Sequence, residues 1–128
     1  YGDHRDLHLS IRRQRQMCIR DRDIVKVVIS KNKNTKYGRA LYFSRSLIPF
    51  GVGPVYHHIG IYAYSRDSLE RFINLRQSSL EKRESLEQLR ALEDNMDIKV
   101  GIVEDSPIGV DNLADFNKAC DYIRNNKL

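Results

Sequence analysis

Short runs of Val, Ile and aromatic residues, each bounded by turn-forming residues, predict four β-strands in this chain. In the third run, apolar residues occupy every second position from 59 to 63, so successive side chains point to opposite faces of a strand. The Pro- and Gly-containing stretch 46–54 predicts a loop before it. The four predicted strands span residues 23–30, 39–44, 58–64 and 98–103.

Apolar residues spaced three or four positions apart predict three helices, over about 66–74, 79–95 and 112–125. Ser78 with Glu81 three positions later is a capping-box pattern for the second helix, and Asn112 is the predicted N-cap of the third. Leu86, Leu89, Leu92 and Met96 fall on one stripe of the second helix, and Leu113, Phe116, Cys120 and Ile123 follow each other at spacings of three, four and three in the third.

The predicted order of elements is three strands, two helices, a strand and a helix, which indicates a mixed α/β fold. Few strand–helix–strand crossovers are present. We therefore expect a portion of a larger sheet and not an independent doubly wound domain.

Composition narrows the classes of protein to consider. Of the 128 residues, 41% are hydrophobic and 30% charged, as in ordinary soluble domains. No apolar run approaches the roughly 18 residues that a membrane span needs, so no membrane association is expected. Cys18 and Cys120 lie too far apart in sequence to form a disulfide framework or a metal knuckle, which favours a reducing cytoplasm.

The net charge of +5 is concentrated at the start of the chain. Residues 1–22 hold six Arg against three Asp, whereas residues 23–128 hold 16 Lys and Arg against 14 Asp and Glu. The body of the chain is therefore close to neutral, and its charge gives no case for nucleic-acid binding.

Residues 1–22 show no sustained helical or strand period and have three competing interpretations. The Arg cluster at positions 12, 13 and 15 favours a basic arm, and the polarity of the stretch favours a disordered tail. The third interpretation is a non-native artefact, because Met17 to Arg22 resembles a translated transposon end used to prepare sequencing libraries. We favour the artefact, exclude residues 1–22 from the fold, and take 23–128 as the genuine body.

Four short motifs in the body carry a resemblance to a known family. They are ALYFSR at 40–45, HHIGIY at 57–62, LEQLR at 86–90 and GVD at 109–111. In this order and spacing, with VKVV at 25–28 and SLEKRE at 79–84 between them, they resemble the C-terminal half of the 3-deoxy-manno-octulosonate cytidylyltransferase (CMP-Kdo synthetase) family. The resemblance covers essentially all of residues 23–128.

The resemblance implies a fold and a reaction. The fold would be the mixed-sheet C-terminal portion of a three-layer, Rossmann-like fold of the nucleotide-diphospho-sugar-transferase type. The family joins CTP to Kdo, a keto-deoxy sugar acid, releasing pyrophosphate and giving CMP-Kdo for lipopolysaccharide biosynthesis. The family also implies a requirement for Mg²⁺, a homodimer and a cytoplasmic location.

For the chemistry at phosphorus, the resemblance implies two residues. Asp111 matches the family's C-terminal metal-binding aspartate, and a hard carboxylate oxygen suits Mg²⁺. Arg45 matches an arginine near the substrate, where a planar guanidinium suits a carboxylate or a phosphate. An ordinary capping Asp and a surface Arg are the simpler interpretations of the same residues.

For binding the sugar acid, the resemblance implies His58 and Tyr62 on one face of a strand, and Glu87 and Gln88 on the second helix. Without the resemblance, the first pair would be a buried His and a core Tyr. Helical periodicity places Glu87 on a solvated face opposite the Leu stripe, within reach of Arg83 and Arg90. Both views of Glu87 hold if that face lines an open cleft.

Two alternatives remain open beside the Kdo enzyme. One is a cytidylyltransferase for another acid sugar, such as 8-amino-Kdo or a sialic-type acid. The other is a small non-catalytic binding module with a basic arm, which requires residues 1–22 to be genuine. The family's nucleotide-binding loop and the Asp of its GDEP-type motif are absent from this chain, so we expect this polypeptide alone to be inactive.

Overall fold

The computed structural model describes residues 21–104, 109–110 and 112–126 and, as backbone only, residues 7–13. Within these ranges the chain forms five strands and four helices. The strands are β1 (Leu7–Arg13), β2 (Lys26–Ser30), β3 (Tyr37–Ser44), β4 (Tyr56–Tyr64) and β5 (Ile98–Val103), and the helices are α1 (Arg66–Ile73), α2 (Ser79–Glu84), α3 (Leu89–Glu93) and α4 (Leu113–Asn126).

The five strands form one sheet that closes on itself, in the order β1-β4-β2-β3-β5 with β5 returning to β1. Only the β1–β5 pairing is parallel, and the other four pairings are antiparallel. The predicted mixed α/β class is therefore confirmed. Each strand predicted in the body is present, with ends displaced by up to three residues.

Strand β1 lies inside residues 1–22, which the sequence pattern assigned to no element. Its backbone fills the gap between β4 and β5 and pairs with both of them. In sequence, Leu7, Leu9 and Ile11 alternate with polar residues, which is a short period-two pattern that the surrounding Arg-rich residues obscure. Residues 1–6 and 14–20 lie outside the described residues, and the non-native origin of residues 1–22 stays a prediction.

The core lies between the sheet and the three central helices. From the strands it takes Val27, Phe43, Ile98 and Val100, each at most 1% exposed. The stripe predicted for the second helix packs against them: Leu86, Leu89 and Met96 are buried, and Leu92 is partly buried against the cluster. This stripe is therefore part of the core.

The continuous helix predicted over 79–95 is wrong. The chain forms α2 and α3 instead, separated by a turn at 85–88. Ser85 takes a left-handed backbone conformation with φ of 55°, and the backbone N–H of Leu86 donates to the carbonyl of Glu81 at 3.2 Å. A left-handed residue ends an α-helix, and Ser at this position gave no warning because Gly or Asn is the usual sign of such an end.

Helix α4 begins at its predicted N-cap and lies on the surface of the described structure. The Asn112 side chain accepts a hydrogen bond from the backbone N–H of Asp115 at 2.9 Å, which confirms the N-cap. No residue of α4 is buried, so its apolar stripe does not join the core of the described structure. Leu113, Phe116 and Ile123 are 74%, 53% and 51% exposed, since no described element covers that face.

Candidate functional site

A bulge in β4 brings together two polar side chains of the predicted site. Tyr62 pairs with Leu9 of β1, and His58 pairs with Ile11, so four steps along β4 lie opposite two steps along β1. On a regular strand, side chains four positions apart stand about 13 Å from each other. Here the ring centroids are 5.5 Å apart, and His58 Nε2 lies 2.6 Å from the Tyr62 hydroxyl oxygen, within hydrogen-bonding distance.

The His58–Tyr62 pair is uncharged near neutral pH. Burial, with a smaller contribution from the neighbouring His57, lowers the pKa of His58 from 6.5 to about 4. Burial also raises the pKa of the Tyr62 phenol above its ordinary value of 10.0, and the nearby Tyr64 and Glu87 add to the shift. A neutral imidazole and a neutral phenol are suited to donate to and accept from sugar hydroxyls.

The His58–Tyr62 pair belongs to a row of packed aromatic rings. Phe43 of β3 meets the His58 ring edge-on at 5.4 Å between centroids. On the other side, Tyr62 packs against Tyr64 at 6.3 Å, and Tyr64 packs against Phe72 of α1 at 5.8 Å. The row connects β3, β4 and α1, so the orientation of the polar pair is set by the core.

Glu87 and Gln88 lie in the turn between α2 and α3, not on the continuous helix that periodicity predicted. Glu87 is exposed, and its carboxylate contributes to the raised pKa of both Tyr62 and Tyr64. Gln88 is 8% exposed, and its Nε2 atom has no hydrogen-bond partner among the described residues. A buried amide donor without a partner is costly, so a hydrogen bond from this atom to a bound molecule would be favourable.

The turn is anchored by a buried ion pair that sequence reasoning assigned differently. Arg90 was expected within reach of Glu87, but its guanidinium donates to both carboxylate oxygens of Glu81, at 2.6 and 2.9 Å. Arg90 also lies 5.4 Å from the centre of the Phe72 ring. The hydrogen bonds from Arg90 lower the pKa of Glu81 below 4.5. Glu81 further accepts the Ser78 backbone N–H at 3.0 Å, which confirms that half of the predicted capping box.

Arg45 lies just past β3 and is held by its neighbours at several atoms. Its Nε donates to the carbonyl of Glu84 at 3.3 Å, and one terminal nitrogen donates to the carbonyl of Arg22 at 3.3 Å. Its own carbonyl accepts the Lys26 ammonium at 2.7 Å. Arg45 is therefore half-buried and fixed at both main chain and side chain, and it is not the freely exposed surface Arg of the simpler interpretation.

Asp111, the predicted magnesium ligand, lies outside the described residues. Among those that are described, no group of three or more His, Cys, Asp or Glu side chains is arranged to hold a metal ion. Mg²⁺ usually keeps several waters and takes one or two carboxylates, so a single Asp from this segment would be compatible with the ion. The magnesium role of Asp111 stays a prediction.

Two residues with several contacts near this region were missed by sequence reasoning. Lys26 is 1% exposed within the Val-rich β2 and donates to the carbonyls of Asp21 and Arg45, and burial lowers its pKa below 10.5. Glu84 accepts hydrogen bonds from three residues of β3 and its end. A lone charged residue in an otherwise apolar strand was a detectable sign for Lys26, whereas nothing in the sequence distinguished Glu84.

The sequence of this chain also matches a known family. The sequence model of the family described as Cytidylyltransferase matches residues 4–98, so the chain belongs to the cytidylyltransferase family. The match also includes the part of the chain that forms β1.

Individual relatives of the chain are named as cytidylyltransferases of one kind. The chain is 55% identical over 97 residues to the 3-deoxy-manno-octulosonate cytidylyltransferase of Paramagnetospirillum magneticum, covering 76% of this chain and 39% of that protein. It is 57% identical over 97 residues to the same enzyme of Rhizobium meliloti, covering 76% and 38% respectively. The chain thus spans about two-fifths of the length of these relatives.

A solved structure supports the assignment of the fold. The chain resembles CMP:2-keto-3-deoxy-manno-octonic acid synthetase complexed with CTP, with a TM-score of 0.85 and 31% sequence identity. The likeness covers 94% of this chain and 49% of that one. The predicted nucleotide-diphospho-sugar-transferase-like fold is therefore confirmed for this portion. Within the described residues, no helix has the length and apolarity needed to cross a membrane.

Proposed function

We propose that this chain is the sugar-acid-binding portion of a 3-deoxy-manno-octulosonate cytidylyltransferase, which joins Kdo to CTP with release of pyrophosphate for lipopolysaccharide biosynthesis. The observation that carries the proposal is the contact between His58 and Tyr62, with the Glu87 carboxylate close enough to help raise the pKa of Tyr62. His58 and Tyr62 come from one motif that resembles the family, and Glu87 comes from another. The bulge in β4 brings His58 and Tyr62 together although they are four residues apart in sequence. We also expect a homodimer that works in the cytoplasm.

The binding roles follow from the chemistry of each group. The neutral pair would donate to and accept from sugar hydroxyls, and Glu87 would accept from them. Gln88 has an amide donor without a described partner, which a sugar hydroxyl would satisfy. Arg45 provides the positive charge needed beside the acid group of the sugar or a phosphate. Fixing the attacking hydroxyl in this way reduces the entropic part of the barrier.

Magnesium, when bound, would neutralise charge on the phosphates, and Asp111 is the residue of this chain that would hold it.

The proposal is tested by kinetics of the full-length enzyme encoded at the locus that carries this segment. Pyrophosphate release should depend on both CTP and Kdo, and should be slower with 8-amino-Kdo or a sialic-type acid. The Tyr62→Phe variant should raise the KM for Kdo about tenfold and leave the KM for CTP unchanged, because a sugar-hydroxyl contact is lost. Tyr37→Phe is the matched control, since Tyr37 is 74% exposed at the start of β3.

Two results would contradict the proposal. One is the absence of Kdo-dependent pyrophosphate release from the full-length enzyme. The other is an equal effect of Tyr62→Phe on the KM values of both substrates. A better substrate among the other acid sugars would keep the reaction class and change the substrate. We also propose that the 128-residue chain alone does not turn over, and robust activity of the purified chain with CTP, Kdo and Mg²⁺ would refute that.

A further inference from the structure

Glu84 lies between the two groups of polar side chains that the proposed site requires. It is the last residue of α2 and is half-buried. A negative charge at the C-terminal end of a helix is unfavourable, because the last carbonyl groups already carry partial negative charge. Helix stability therefore does not account for an acidic residue at this position, and its contacts instead lie across the fold.

The Glu84 carboxylate accepts three hydrogen bonds from one short stretch of chain at the end of β3. The Tyr42 hydroxyl donates to one oxygen at 3.1 Å. The Ser44 hydroxyl and the Arg45 backbone N–H donate to the other, at 3.1 and 3.3 Å. The Glu84 carbonyl accepts Arg45 Nε at 3.3 Å. A single residue therefore contacts both the main chain and the guanidinium of Arg45.

The other end of this connection is the turn that carries Glu87 and Gln88. Immediately after Glu84, the chain turns through the left-handed Ser85, whose backbone N–H donates to the carbonyl of Glu81. Glu87 follows only three residues after Glu84. Any shift of Glu84 relative to β3 would therefore change the distance between Arg45 and this turn.

We propose that Glu84 is a positioning residue of the sugar-acid site, which fixes the Arg45 guanidinium relative to the Glu87–Gln88 turn. Glu84 acts through Arg45 and does not contact the substrate. This inference rests on the proposed function, because it assumes that Arg45 and the turn bind the same sugar acid.

The test compares variants of the full-length enzyme, with Kdo and CTP varied separately and pyrophosphate release measured. Glu84→Ala should raise the KM for Kdo about tenfold, with the KM for CTP within about twofold, because the carboxylate that holds Tyr42, Ser44 and the Arg45 backbone N–H is lost and Arg45 is then free to shift against the turn. Glu84→Gln should stay within about threefold of wild type. Its amide oxygen still accepts from Ser44 and Arg45, and its amide N–H donates to the Tyr42 oxygen.

Glu93→Ala is the matched control. The Glu93 carboxylate also accepts from a hydroxyl and a backbone N–H, those of Ser79 and Leu80 at 2.9 and 3.2 Å, but none of its hydrogen bonds within the described residues goes to β3. A merely structural role for Glu84 would change both KM values together, as Glu93→Ala would if α2 and α3 loosen. The split between the two substrates separates positioning from general destabilisation.

A double-mutant cycle with Arg45→Ala tests whether Glu84 acts through Arg45. Glu84→Ala should add little in the Arg45→Ala background, since residues acting through one contact are not additive. Full additivity, or an unchanged KM for Kdo in Glu84→Ala, would overturn the inference. If Glu84→Ala does not fold, Tyr42→Phe replaces it and should raise the KM for Kdo about threefold. An unchanged KM for Kdo in Tyr42→Phe would then overturn the inference. If the wild-type enzyme shows no Kdo-dependent pyrophosphate release, the result contradicts the proposed function and not the role of Glu84 alone.

Discussion

At the scale of single residues, local environment decides what the polar side chains of the site can do. His58 is commonly read as a switchable charge near neutral pH, yet burial lowers its pKa to about 4 and the aromatic rings around it keep it neutral. Tyr62 stays protonated for the same reason. The pair therefore suits sugar hydroxyls, and the charge that would bind an acid group has to come from another residue, which is the role we propose for Arg45.

The shifted pKa of His58 predicts a pH dependence of stability. In the unfolded chain His58 binds a proton below about pH 6.5, whereas in the folded chain it does so only below about pH 4. Its contribution is therefore complete above pH 6.5 and is lost as the pH falls toward 4. The maximum loss is on the order of 3 kcal/mol.

Urea unfolding of the chain at pH 7.0 and at about pH 4.5 measures this loss. The His58→Gln variant should lose less stability between the two pH values than wild type does, since every other titrating group is common to both proteins. An identical loss in wild type and variant would show that His58 is not held neutral by the fold.

At the scale of secondary-structure elements, alternation and turn residues were enough to predict β2 to β5 and the first and last helices. They were not enough where backbone conformation overrides side-chain pattern. Leu86 and Leu89 are buried. The helical spacing of apolar residues continues past Ser85 in the sequence, but the helix itself ends there. Similarly, the β4 bulge is invisible to a period-two pattern, because it depends on pairing with β1.

The side-chain contacts of the site could not be predicted from the sequence either, because they depend on how the strands and turns pack together. Motif resemblance supplied His58, Tyr62, Glu87 and Gln88, but not the 2.6 Å contact within the first pair. The partner of Arg90 was missed because, on a regular helix, Glu87 three residues before Arg90 is within its reach, whereas Glu81 nine residues before it is not. Only the turn between α2 and α3 decides in favour of Glu81.

The left-handed Ser85 gives a prediction for the turn. Ser85→Gly should be at least as stable as wild type, because glycine adopts a φ of 55° without strain. Ser85→Val should lower the free energy of unfolding by about 1–2 kcal/mol, the cost of a left-handed conformation for a residue with a bulky side chain. Urea denaturation measures both, and a Val variant as stable as wild type would mean that the turn is not as described.

At the scale of the whole molecule, the main feature is the apolar face of α4, which no other described part of the chain covers. Leu113, Phe116 and Ile123 are each more than half exposed on one helix, and a soluble monomer rarely leaves such a face uncovered.

We therefore predict that the 128-residue chain self-associates. Sedimentation velocity should show species larger than a monomer, and combined substitution of Leu113, Phe116 and Ile123 by Gln should shift the distribution toward the monomer. Leu47→Gln is the control, because Leu47 is 44% exposed on a loop away from α4 and should leave the distribution unchanged. A clean monomer of the wild-type chain at high concentration would contradict this.

The most direct test is whether the chain itself recognises the sugar acid through the β4 pair and the following turn. Kdo titrated into isotopically labelled chain, followed by NMR, should shift the resonances of His58, Tyr62, Glu87 and Gln88 together, while CTP at the same concentration should leave them in place. Shifts confined to other surfaces, or equal shifts with CTP, would contradict the assignment of this portion to sugar-acid binding.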